Sequence, residues 1–398
     1  MEGFVILTHN SKKRRKKMTN FPTDKFAGLR TPFYYYDMAL LRQTLEAVSA
    51  QASKHDFKVH FAVKANANGE LLREIKNYGL GIDCVSGNEV RCALEHGFDS
   101  KKIVFAGVGK ADWEINLALD AEIECFNVES IPELEIIDEL ARAKGKVADI
   151  AFRINPNVDA HTHQYITTGL EENKFGIGLW EVETAVRRAQ ELSNVNLVGI
   201  HFHIGSQITD MGAFQALCTR INELQKWFEQ NKIHLSIINV GGGLGIDYEH
   251  PDEVSLPDFE NYFATFARHL ELRSGQQVHF ELGRCLVAQC GSLITRVLYV
   301  KKGQKKQFAI VDAGMNDLIR PALYHAYHKI ENITSGEATE KYDVVGPVCE
   351  SSDCFGKEVV LNGTRRGDLL AIRSAGAYGE VMSSKYNLRE FAQSHYSE

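Results

Sequence analysis

The sequence predicts a (β/α)8 TIM barrel followed by an all-β sandwich-like domain, on three observations. Eight short apolar runs recur at intervals of about 20 to 45 residues, each but the last followed by a stretch with helical spacing. This beat of strand, polar turn and helix fills about 230 residues, the length and rhythm of a barrel; a doubly wound sheet seldom needs eight evenly spaced parallel strands. Beyond Ala288 the helices nearly vanish, and strand-like runs follow one another across loops.

The first element is an aromatic strand at 32–37, PFYYYD, and a helix follows at 38–54 through Leu40, Leu41, Leu45 and Val48. The barrel strands are expected at 58–63, 81–85, 103–108, 123–128, 150–154, 197–203, 237–240 and 278–281. In the first of them Val59, Phe61 and Val63 alternate with His60 and Ala62, the period of a half-buried strand. The later strands are expected at 292–300, 307–312, 342–345, 358–361 and 368–373, with one short helix near 321–328.

A chain of 398 residues with 44% hydrophobic and 24% charged residues has the composition of a soluble globular protein, and its length makes two domains the default. No apolar run approaches the roughly 18 residues of a membrane-spanning helix. At the N-terminus a short apolar piece precedes the basic run at 12–17, the reverse of a secretory signal, so the protein is expected in the cytoplasm. Residues 1–17 read as a disordered leader or as residues ahead of a true start at Met18. Without that run 39 basic residues face 52 acidic ones, which disfavours a nucleic-acid-binding body. Eight cysteines are scattered without a CxxC pair, the pattern of free thiols in a reducing compartment. The pairs His161/His163 and His201/His203 lack matching ligand spacing, so no metal is expected.

Lys64 follows the first barrel strand immediately, where a surface strand end is its simplest role. The other strand ends alter that. Asp83 and Ser86 follow the second strand, Arg153 and Asn155 the fifth, and His203 and Ser206 the sixth; Gly241-Gly242-Gly243-Leu244-Gly245 follows the seventh, and Glu281, Gly283 and Arg284 the eighth. In a barrel all of these converge on one mouth, the face where ligands bind. A lysine partly desolvated there can lose its proton and become an imine-forming nucleophile. The glycine run, by itself only a tight turn, falls at the customary phosphate position, with Ser206 beside it. A phosphate site, a nucleophilic lysine, an acidic residue and a flat imidazole in one cavity meet the needs of pyridoxal 5'-phosphate. Glu281 would hydrogen-bond the ring nitrogen, and His203 would stack on the ring. The β domain carries a second cluster, comprising Arg320 and Tyr324, Cys349 and Glu350, and Tyr378. Glycine and proline before Cys349 and a polar run after it put this thiol in an exposed loop, where it can act as an acid.

With these residues in hand the chain resembles the fold-type III pyridoxal-phosphate decarboxylases, through FAVKAN, HFHIGSQ, NVGGGLG, MNDLIRPALY, GPVCESSD and AGAYG, from about residue 33 to 391. The resemblance implies a barrel at 41–285 and a β domain of 286–398 that also recruits 18–40. It implies a head-to-tail homodimer with shared sites. Lys64 would carry the cofactor, His203 would stack on it, and Ser206, Gly242, Gly243 and Tyr378 would surround its phosphate. Glu281 would meet the ring nitrogen. Arg284, Arg320 and Tyr324 would grip a distal carboxylate, and Cys349 and Glu350 would enter from the neighbouring subunit as proton donor and as partner of a distal ammonium. The reaction implied is decarboxylation of meso-2,6-diaminopimelate to L-lysine and CO2. Ornithine, arginine and carboxynorspermidine decarboxylation, and a non-catalytic cofactor-binding regulator, are the rivals. One departure stands out: the family usually reads EPGR where this chain has Glu281-Leu282-Gly283-Arg284, and leucine frees the dihedral that proline fixes, loosening the aim of Arg284.

Overall fold

The computed structural model describes residues 21–158 and 174–398. The basic run at 12–17, Met18 and the pair His161/His163 lie outside the described residues. Strand β1 (Phe33–Tyr36) leads into a helix, Met38–Ser53, and then into eight parallel strands that close on themselves in chain order. These are β2 (Lys58–Ala62), β3 (Gly81–Cys84), β4 (Ile103–Phe105), β5 (Cys125–Val128), β6 (Ala148–Arg153), β7 (Val195–His201), β8 (Ile237–Asn239) and β9 (Gln277–Leu282). Closure comes from β2 against β9, with Val59 opposite Phe280 and Phe61 opposite Leu282.

Six of the helices start where the sequence supplies a side-chain acceptor. Asp37, Asn68, Ser86, Ser130, Asp210 and Asp258 each accept a backbone N–H of the helix they precede. Ser86, grouped by sequence with the residues of the mouth, is engaged in this way by the Glu89 N–H at 3.2 Å. Outward-facing strand residues pack on the helices: Phe280 meets Phe263 and Phe266 of the helix Phe259–His269 at ring-centroid distances of 4.9 and 5.1 Å. Each such buried aromatic contributes about 1.5–3 kcal/mol.

The inside of the barrel is polar. Toward its amino-terminal end His60 on β2 lies 3.0 Å from Glu124, and the rings of His60 and His279 are 5.0 Å apart. Burial, aided by His60, pushes the His279 imidazole down to about 3, so it is neutral. Toward the other end the inward residues are Asn127, His201, Asn239 and Glu281, all buried.

The second unit is a mainly antiparallel sheet in the order β12-β15-β10-β11-β13-β14, with β1 and β16 attached. Its strands are β10 (Gly291–Lys302), β11 (Gln307–Val311), β12 (Ile330–Asn332), β13 (Thr339–Val345), β14 (Cys354–Asn362), β15 (Leu369–Ile372) and β16 (Gln393–Tyr396). β1 pairs antiparallel with the first third of β10 and parallel with β16, so the first strand of the chain belongs to the last sheet. The strands β12 and β16 are absent from the sequence expectation. Ile-Glu-Asn and Gln-Ser-His-Tyr carry little apolar alternation, and partners distant in sequence make them strands.

The two units meet around one turn. The Asn66 amide donates to the Tyr36 hydroxyl at 2.9 Å and to the Gly376 carbonyl at 2.8 Å. Tyr378, held at a φ of 56°, donates its backbone N–H to the Ala65 carbonyl at 2.8 Å. These bonds hold the carboxyl end of Val63-Lys64-Ala65, a single 3-10 turn.

Candidate active site

Lys64 therefore leaves the end of β2 on a clamped turn, and its side chain enters a cavity of about 330 Å3 at the carboxyl ends of the strands. Arg153, His203, Ser206, Glu281, Arg284, Arg320, Tyr324 and Tyr378 reach the same cavity. Asp83, on β3, is buried, with Oδ2 at 3.8 Å from the Lys64 ammonium. Burial pulls the ammonium down, but Asp83, Tyr378 and Glu281 outweigh it and shift Lys64 upward, while burial and Glu281 shift the Asp83 carboxyl well above the usual range.

Glu281 is the best-held group of the site. Its Oε1 accepts from Asn127 at 2.9 Å and from Asn239 at 2.8 Å, and its Oε2 lies 2.9 Å from His201 Nε2. Burial would raise its carboxyl, but His201, Lys64 and Asn239 hold it well below the usual carboxylate range. His203 accepts the Gly242 N–H on Nδ1 at 3.4 Å. Burial first, then the charges of Lys64 and Arg153, keep its imidazole well below the ordinary value, so the ring is neutral and flat.

The glycine run behind His203 brings bare backbone close to the mouth. A Cβ on Gly242 would overlap the carbonyl oxygen of Glu281, and Gly243 sits at a φ of 108° that favours glycine. Gly283 is favoured by close approach as well: a Cβ there would stand 3.0 Å from that of Ala65, beside Lys64. The buried oxygens of Asp83 accept no hydrogen bond among the described residues, and Asn239, one residue before the glycine run's leading Val240, turns inward. A glycine cradle, a neutral imidazole, an ionised carboxylate, and a lysine beside a carboxylate that lacks a hydrogen-bond donor together fit pyridoxal phosphate.

Arg284 is aimed into the cavity despite Leu282, because Leu282 continues the β9 ladder opposite Phe61. Its guanidinium donates to Ser206 Oγ at 3.0 Å and to the Tyr248 hydroxyl at 2.6 Å, and lies 4.9 Å from the Tyr378 ring centre. Arg320, from the β domain, donates to the same Tyr248 oxygen at 2.8 Å. Burial would raise the Tyr248 phenol, but the two guanidiniums outweigh it and shift it downward. Arg153 pairs with Glu129 at 2.7 Å and lies 4.7 Å from the Phe175 ring centre.

Two of the sequence candidates stand apart from this cavity. Cys349 and Glu350 lie in an exposed loop of the β domain; the Cys349 N–H donates to Asn387 at 3.3 Å, and Glu350 accepts from Tyr386 at 2.6 Å. Sequence reasoning missed Tyr248, Asn127 and Asn239, and considered His201 only as a metal ligand. The asparagines left a signal, since each interrupts an apolar strand run. Tyr248 left none, being one tyrosine in a polar loop.

Residues 39–288 match the family model described as pyridoxal-dependent decarboxylase, pyridoxal binding domain. The diaminopimelate decarboxylase of Bacteroides thetaiotaomicron is 62% identical over 379 residues, covering 95% of this chain and 98% of that one. The chain belongs to the diaminopimelate decarboxylase family. The Neisseria meningitidis serogroup B member is 44% identical, over 91% of this chain and 86% of that one. Among solved structures, the Helicobacter pylori diaminopimelate decarboxylase complexed with L-lysine matches with a TM-score of 0.89 at 40% identity, over 94% of each chain. The Vibrio vulnificus lysine/ornithine decarboxylase, at 20% identity and a TM-score of 0.82 over 94% of this chain and 96% of that one, shares the fold. Family membership and the closed barrel agree with the fold expected from the sequence.

Proposed function

We propose that this chain removes one carboxylate of meso-2,6-diaminopimelate as CO2 and leaves L-lysine, the last step of lysine synthesis, with pyridoxal 5'-phosphate at the barrel mouth. The observation that carries this proposal is the pair Arg284 and Arg320, converging on one phenolic oxygen on the wall of the cavity that Lys64 enters. Two guanidiniums suit a substrate whose unreactive end carries a carboxylate, and they repel the purely cationic tail of ornithine or arginine. Membership of the diaminopimelate decarboxylase family supports the same substrate.

When bound, the cofactor supplies an aldehyde carbon that takes up an amine, and a protonated ring that receives the electron pair freed as CO2 leaves. Lys64 would hold it, with Asp83 beside the amine. Glu281, kept ionised by its three neighbours, would face the ring nitrogen and retain its proton, and neutral His203 would lie along the ring. The N–H groups of Gly242 and Gly243, with Ser206 and Tyr378, would meet the phosphate, and Gly283 lets that region approach Lys64. Arg153, fixed by Glu129, would add positive charge to the mouth. Arg284, Arg320 and Tyr324 would hold the distal carboxylate.

Cys349 and Glu350 stand away from the cavity of their own chain, which supports a homodimer with shared sites. Cys349 of the partner subunit would give a proton to the carbon that lost CO2, and Glu350 of the partner subunit would meet the distal ammonium. Eight free cysteines suit a cytoplasmic enzyme.

The test is an absorbance spectrum of the purified protein with pyridoxal phosphate, then addition of meso-diaminopimelate with CO2 and L-lysine measured together. A cofactor band that depends on Lys64, absent in Lys64→Ala, with lysine released, is expected. A band without lysine would reject the substrate, and no band would reject the cofactor.

A further inference from the structure

Tyr248 belongs to the loop after β8, beyond the glycine run, and that loop is pinned. Gln207 accepts the Ile246 N–H at 3.2 Å and donates to the Ile246 carbonyl at 2.7 Å, and Asp247 accepts the N–H groups of Glu249 and His250 at 2.7 and 2.9 Å. The Tyr248 ring packs edge-on against His328 at 5.2 Å, an imidazole that burial pushes down to about 3 and that adds no charge. The hydroxyl then has one position, and two cations from different domains donate to it: Arg284 at 2.6 Å and Arg320 at 2.8 Å.

Two guanidiniums side by side repel each other, and both are buried. An acceptor between them fixes their spacing before any ligand arrives. Arg320 uses one of its five N–H donors here, and Arg284 turns others toward Ser206, so the fork faces the Lys64 cavity. Tyr248 itself lines a second cavity of about 660 Å3, whose wall shares Arg320 and Tyr324 with the first. It braces the arginines from behind rather than from within the site.

We infer that Tyr248 determines specificity for a distal carboxylate, by holding Arg284 and Arg320 together as one two-pronged receptor. This rests on the diaminopimelate reading of the same site. Tyr248 is a positioning residue: its hydroxyl acts through the two arginines. Without it the guanidiniums separate, and a carboxylate ligand must draw them together on binding. A ligand without that carboxylate uses neither and is unaffected.

The experiment compares wild-type holoenzyme with Tyr248→Phe, which removes one oxygen and keeps the ring. Three quantities are measured: the KM and kcat for meso-diaminopimelate, inhibition by L-lysine, which keeps the distal carboxylate, and inhibition by 1,5-diaminopentane, which lacks it. The expected result is a KM and an L-lysine inhibition constant about tenfold higher, the loss typical of hydrogen bonds to charged groups. The kcat, the diaminopentane constant and the cofactor spectrum stay close to wild type, while the thermal midpoint falls modestly because two buried guanidiniums lose their shared acceptor. In an Arg320→Gln background the same change has little further effect.

Equal weakening of both inhibitors with loss of cofactor would make Tyr248 merely structural and overturn the inference, as would unchanged constants for all ligands. Failure of the functional reading is a separate result: wild type would not turn over diaminopimelate. The inference falls with it if wild type also fails to prefer L-lysine to diaminopentane, and survives if that preference is present and Tyr248→Phe abolishes it.

Discussion

Replacing Glu281 by glutamine tests the centre of the site, because the change keeps shape and removes charge. The carboxylate accepts from Asn127, Asn239 and His201 at 2.9, 2.8 and 2.9 Å. A glutamine can keep its oxygen toward the two asparagine donors only by turning its own N–H toward His201 Nε2. His201 must then move its proton to Nδ1, a buried atom with no partner among the described residues. One unpaired buried N–H costs about 1–3 kcal/mol, so the thermal midpoint should fall modestly while the fold survives. Activity should fall far more. A neutral amide cannot keep a proton on the ring nitrogen, and kcat for diaminopimelate at saturating cofactor should drop about 10²–10⁴-fold, the usual worth of a positioned acid–base group. Steady-state kinetics alongside the cofactor spectrum and a melting curve would separate the two effects. A Glu281→Gln enzyme that binds cofactor and turns over within about twofold of wild type would refute the assignment of Glu281 to the ring nitrogen.

Two further outcomes follow from the same geometry. His279 and His328 are buried and pushed down to about 3, so each binds a proton only on unfolding as pH falls below the ordinary histidine value, destabilising the fold by about 2 kcal/mol at pH 5. Asp317, raised by burial to about 6, takes up its proton in the folded chain and returns about 1 kcal/mol over the same range. The thermal midpoint should therefore fall from pH 7 to pH 5, and less steeply in His328→Gln; an equal slope in that variant would remove His328 from the account. For the shared site, Lys64→Ala and Cys349→Ala should each be inactive alone, yet an equal mixture refolded together should regain about a quarter of wild-type activity, since half of the dimers are mixed and each carries one complete site. No recovery would place Cys349 in its own subunit's chemistry or outside the reaction.

Much of this was legible in the order of residues along the chain. The barrel follows from eight apolar runs and their spacing, because alternation and helical periodicity record which faces are buried. Lys64, His203, Glu281 and Arg284 were legible as mouth residues because a strand's end is marked by the turn after it, and in a barrel all such ends share one face. The short strands β12 and β16 were not legible, since Ile330–Asn332 and Gln393–Tyr396 have no pattern of their own and exist through pairing with β15 and β1. The pairing of Lys64 with Asp83 at 3.8 Å is a through-space contact that sequence separation conceals. Tyr248 shows the same limit most clearly. Its role comes from two arginines 36 and 72 residues away, brought to one oxygen by the docking of the β domain on the barrel. Local sequence records what each segment buries, whereas the spacing of charges around a site is set by the packing of segments distant in the chain.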